Sequence, residues 1–157
     1  MGVRRRAREQ ALMMLYAMDM AGVWPDAAIE RFYDAFASGE PLDPPPSYVD
    51  APRTADRYKV DPDDSEARAY AEQIVRGVNN NLEQIDQLIS RISLHWRIDR
   101  MASVDRNLLR LAAYELTYEQ DGVPRKVAIN EAVELAKTFG TKESSAFVNG
   151  IVDRIGR

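Results

Sequence analysis

With 157 residues, 45% of them hydrophobic and 29% charged, the chain suits one domain with a packed interior and a charged surface. It has no cysteine, which excludes disulfide staples, thiolate catalysis and zinc–thiolate sites. The formal charge of −4 is unevenly placed. Residues 1–8 hold four arginines and no acid, and removing those four from the 21 Lys and Arg leaves 17 against 25 acids, so only one end of the chain attracts a polyanion.

The first predicted helix runs from about Arg4 to Met20, with Ala7, Ala11, Met14, Leu15 and Met18 as its inward stripe. Glu9 and Asp19 bracket an apolar run that is too short for a membrane span and unlike an export signal, so a soluble cytoplasmic protein is expected. At 100° per residue, Arg5, Arg8, Leu12 and Tyr16 share a sector of roughly 80°, away from the centre of that stripe. Arginines hold phosphates and an exposed tyrosine stacks on bases, so this sector suits single-stranded nucleic acid. Spacing alone leaves a solvated helix end equally open. Cations at a helix N-terminus oppose the macrodipole at roughly 0.3–1 kcal/mol each, so stability alone favours acids there.

A second helix follows Pro25, with Ala28, Ile29, Phe32 and Phe36 at helical spacing. From Gly39 to Pro62 the pattern fails: six of the eight prolines fall here, in an acidic stretch that reads as a surface loop of about 39–62. "DPDDSEA" supplies caps and acids for a helix start. Behind it, a single face runs from Ala71 through Ile74, Val78, Leu82, Ile85 and Ile89 to Ile92, with Asn79–Asn81 opposite or at an irregularity. "LHWRID" interrupts, and Val104, Leu108, Leu111, Ala112 and Leu116 define the next helix. Pro124 and Gly140 bracket another, and Thr141 is expected to cap a last one, whose apolar face is Phe147, Val148, Ile151, Val152 and Ile155. Gly150 in that apolar helix points to a close helix–helix approach. With no period-two alternation, the expected fold is all-α, a single domain of about six helices.

Catalytic signals are poor. His95 stands alone beside Trp96, no acids and histidines gather at metal-ligand spacing, and there is no glycine-rich phosphate loop. Glu131 and Glu134, one turn apart, read as a solvated face. A small hydrolase built on His95 would need a polar pocket around it. No enzyme, cofactor or metal site is expected. Glu143, Ser144 and the exposed side of Phe147 suit a partner surface as well as they suit core.

Four separated segments, "RRRAREQALMMLYAMD", "VDRNLLRLAAYEL", "VPRKVAINEAVELAK" and "FVNGIVDRI", resemble the NusB family of bacterial transcription antitermination factors. The resemblance implies two packed helical subdomains and no catalysis. It further implies binding of single-stranded boxA RNA and pairing with NusE, a small-subunit ribosomal protein, in an elongating RNA polymerase complex with other Nus factors. It assigns Arg4, Arg5, Arg6 and Arg8 to RNA and places Tyr16 at the junction of RNA and partner. Asp105, Glu143 and Phe147 would face NusE, while Asn130 and Glu131 serve helix packing and capping. The proline-rich segment is longer than the family leads one to expect. The sequence leaves a homodimer open, as it does a protein-interaction adaptor that binds no RNA.

Overall fold

The computed structural model describes residues 2–38, 60–61 and 63–156. Apart from Val60 and Asp61, the loop expected over 39–62 lies outside them. Among the described residues there are seven α-helices, one short 3₁₀ turn and no strand. The helices are α1 (Val3–Ala21), α2 (Pro25–Ser38), α3 (Ser65–Asn80), α4 (Leu82–Ile92), α5 (Ser103–Tyr118), α6 (Arg125–Phe139) and α7 (Ser144–Val152), with the 3₁₀ turn at Ile98–Arg100.

The additional helix comes from a break in the long apolar pattern. The Asn81 side chain donates to the Gly77 carbonyl at 2.8 Å and closes α3, while the Asn81 carbonyl accepts from Ile85 N at 2.9 Å and starts α4. The interruption anticipated at Asn79–Asn81 therefore separates two helices. Asp64 caps α3 by accepting from Ala67 N. Gly22 ends α1 at φ 67°, a left-handed position that suits glycine.

Helix α1 lies between α3 and α5 and packs on both. Its buried surface is therefore wider than one stripe: Leu12 is as buried as Ala11 and Met14. α5 is the central element, with neighbours α1, α3, α4, α6 and α7. It runs antiparallel to α1, since Arg8 meets Glu115 near one end and Asp19 meets Arg106 near the other.

The C-terminal helix begins differently from expectation. Thr141 does not cap α7; its backbone N–H donates to Ser144 Oγ at 3.0 Å, and Glu143 stands at the N-cap position without a side-chain cap bond. Gly150 faces open space and marks no close approach. The close approaches are elsewhere: a Cβ on Gly77 would collide with the Tyr114 ring, and one on Gly140 with the Ser144 side chain and the Ala136 carbonyl.

Candidate functional site

The arginines at the start of α1 do not form a free cationic patch. Arg8 is buried to 3% exposure and grips Glu115, itself 1% exposed, through Nε (2.8 and 3.1 Å) and NH2 (2.9 Å). Tyr70 donates its hydroxyl to the same carboxylate at 2.5 Å, and burial, then Glu115, pushes that phenol far above its usual range. Arg8 therefore ties α1 to α5 in the interior and offers no surface to RNA, contrary to the sector drawn from its spacing. A pair sealed this way is strongly destabilising to break, because the surviving charge is left unpaired.

The other three arginines are also held, nearer the surface. Arg5 makes a forked pair with Glu131 of α6, Nε to Oε2 at 2.9 Å and NH2 to Oε1 at 2.8 Å. Glu131 is thus no solvated acid: its hydrogen bond from Arg5 holds it below the usual glutamate range, against partial burial. Arg6 pairs with Asp64 at 3.0 Å, on the residue that caps α3. Arg4 donates to the Gly122 carbonyl at 2.9 Å and lies 4.8 Å from the Tyr70 ring centre, in cation–π range. Arg4 and Arg5 remain exposed, Arg6 half so.

Tyr16 is half-buried against the core, and burial followed by the charge of Asp19 raises its hydroxyl. Asp19 anchors the far end of α1, accepting from Arg106 at 2.6 and 2.8 Å and from Asn107 at 3.0 Å. Burial works against its charge, but these donors outweigh it and hold its carboxyl low. An open cavity of about 290 Å³ lies beside this network, lined by residues that include Leu15, Val23, Trp24, Val78 and Leu82 but not His95.

At that far end, α5, α7 and the turn after α4 bring together the residues assigned to a partner. The Phe147 ring meets Trp96 edge-on, centroids 5.8 Å apart. Asp105 is half-buried; Ser144 bonds its carboxyl, yet Oδ1 is sealed from solvent with no partner among the described residues, and burial raises its pKa. Glu143 is exposed and accepts from the Thr141 hydroxyl at 3.2 Å. Trp96 is a functional candidate that the sequence reading passed over, 57% exposed next to Leu94 at 77%. It sits on a built turn: Ser93 Oγ donates to the carbonyls of Ile89 (2.7 Å) and Trp96 (3.1 Å), and Trp96 N donates to Ser93 O (3.0 Å). A large apolar side chain fixed outward is a signal legible in "LHWR" only once the turn is known. Arg125 is spent internally, donating to the Asp153 and Ile155 carbonyls at the end of α7.

The NusB family pattern matches residues 5–157. The chain belongs to the NusB family. It is 45% identical over 155 residues to the transcription antitermination protein NusB of Myxococcus xanthus, covering 99% of this chain and 95% of that one. NusB of Bdellovibrio bacteriovorus is 39% identical over 154 residues, covering 98% and 95%. Among solved structures, T. maritima NusB superposes with a TM-score of 0.72 at 36% identity, covering 97% of this chain and 89% of that one. A structure of the antitermination factors NusB and NusE in complex with double-stranded RNA matches with a TM-score of 0.71 at 25% identity, covering 98% and 95%. The family's fold is all-helical and its activity is transcription antitermination, not catalysis. No helix among the described residues is long and apolar enough to cross a membrane.

Proposed function

We propose that this chain is a cytoplasmic RNA-binding adaptor that holds boxA-like single-stranded RNA at the start of α1 and docks NusE at the far end of α1 and α5. Within an elongating RNA polymerase complex it would join the two, with other Nus factors alongside. The observation that carries the reading is the division of labour between two ends of one antiparallel helix pair. Arg4 and Arg5 stay exposed at one end, and an exposed Trp96 on a half-buried Phe147, beside Asp105 and Glu143, stands at the other. The NusB–NusE–RNA complex of a relative supports it.

Roles follow from placement. Arg4 and Arg5 contact phosphates, Arg6 borders them, and Arg8 anchors the helix that presents them. Tyr16, between the ends, stands at the junction. With two exposed arginines, the log–log salt slope for single-stranded RNA is no steeper than about −1.4. Linking RNA and partner contacts on one scaffold raises RNA affinity in the presence of NusE.

The test is fluorescence anisotropy with boxA RNA, with and without NusE. Arg4→Ala with Arg5→Ala weakens RNA binding and spares NusE; Phe147→Ala does the reverse. Absence of sequence-preferring RNA binding in both conditions would leave a protein-interaction adaptor in its place.

A further inference from the structure

We propose that Glu131 is an internal counter-ion competing with phosphate for Arg5, and that it holds down the affinity of this end for polyanions in general. The inference rests on the reading of Arg5 as an RNA contact and adds the element that tunes it.

The geometry sets up the competition. Arg5 offers two hydrogen-bonding edges, and Glu131 occupies the one formed by Nε and NH2, with both carboxylate oxygens engaged. The outer edge alone remains for an incoming phosphate, and that phosphate must approach a guanidinium whose charge is already balanced. Exposure is asymmetric: the Arg5 side chain is 44% exposed and the Glu131 side chain 16%. The cation is therefore reachable, while the carboxylate is fixed beneath it on α6, where Arg8 NH1 also lies 4.0 Å from its Oε2. A phosphate on Arg5 either displaces this carboxylate or sits beside it, and both cost binding energy.

The same arrangement recurs at two of the other three arginines. Asp64 balances Arg6 and Glu115 balances Arg8. Of the four arginines, Arg4 is the one held by a carbonyl and a ring face and by no carboxylate among the contacts described. A repulsive element built into a binding surface lowers the affinity of every ligand that brings negative charge to it. A protein that works among long polyanions gains from an arginine end that does not bind them indiscriminately.

The test uses the full chain, a boxA RNA and a scrambled RNA of equal length and composition, read by anisotropy across a salt series. Glu131→Gln keeps the shape and one acceptor oxygen, puts an NH2 donor in place of the other and removes the charge. It is expected to bind both RNAs roughly twofold to fivefold more tightly, the size of a surface pair's coupling. The salt slope is expected to steepen by up to about 0.7, the weight of the Arg5 phosphate contact that Glu131 offsets in the wild type, and so to approach about −1.4. In the Arg5→Ala background the same substitution changes nothing. Unchanged or weaker binding by Glu131→Gln, or an equal gain without Arg5, overturns the proposal. Wild-type binding of boxA RNA in that case leaves the RNA reading standing, whereas no binding of either RNA, with or without NusE, removes both. A second readout needs no variant: the Arg5 Nε–Hε resonance, protected by Glu131 in the free protein, shifts when boxA RNA is added. A resonance that stays in place under saturating RNA also overturns the proposal.

Discussion

The two ends of the α1–α5 pair are built on opposite principles. At the arginine end three of four cations meet carboxylates from three different helix regions, and the fourth lies over a tyrosine ring. At the aromatic end Trp96 and Leu94 stand exposed, and a sealed carboxylate oxygen of Asp105 has no donor among the described residues. One end is satisfied within the chain, and the other leaves apolar area exposed above a buried, unsatisfied acceptor. Satisfied charge stabilises the fold and moderates what it binds; unsatisfied surface is where a protein partner adds the most.

The largest expected effect breaks the satisfied end. Glu115→Gln leaves Arg8 buried with only the distant Glu131 carboxylate, at 4.0 Å, as counter-charge and loosens Tyr70, and should cost about 3 kcal/mol in urea unfolding. A loss below about 1 kcal/mol would show the arginine end to be a surface after all. Next comes the unsatisfied end, where Trp96→Ala and Phe147→Ala should each weaken NusE binding by about 2 kcal/mol in calorimetry. Trp96→Ala should barely alter stability, since most of its ring is exposed, and this separates docking from packing. Arg5→Ala is expected to be smaller, within about 1 kcal/mol of stability because the pair with Glu131 is partly exposed. Its signature is a flatter salt dependence of RNA binding.

The smallest effect concerns pH and has opposite signs at the two ends. Glu131 is held low, so its contribution is present above the ordinary carboxylate range and is lost as pH falls through its folded value. Asp105 is raised by burial, so its folded form holds a proton more tightly than the unfolded chain. It favours folding in acid and becomes a liability as pH rises through its folded value. Asp105→Asn should therefore raise the neutral-pH melting temperature and lose that advantage below about pH 4. A variant that melts lower than wild type at neutral pH would reverse the sign and the argument.

The helical class was legible because the apolar spacing is strong and proline and glycine punctuate it, and the break at Asn81 was visible as an irregularity. The family was legible from four motif segments. The state of the arginines was not. Spacing places Arg8 on a sector, but whether that sector meets solvent depends on α5, and the Glu115 that receives it lies 107 positions away. Glu131 looked solvated for the same reason, since nothing near it in sequence announces Arg5. Gly150 and Gly77 show the same limit: a glycine in an apolar helix signals a close approach only when a ring such as Tyr114 lies opposite.

The long separations within the arginine end also have a meaning in time. The arginines are made first, and their carboxylates on α5 and α6 follow 107 and 126 residues later. At about 5–20 residues per second of synthesis, Arg5 and Arg8 wait roughly 5–25 s for their partners. During that interval the nascent chain carries an unbalanced basic segment beside the RNA of the ribosome that is making it. Completion of α6 is the step that brings Glu131, the last of these carboxylates, to Arg5.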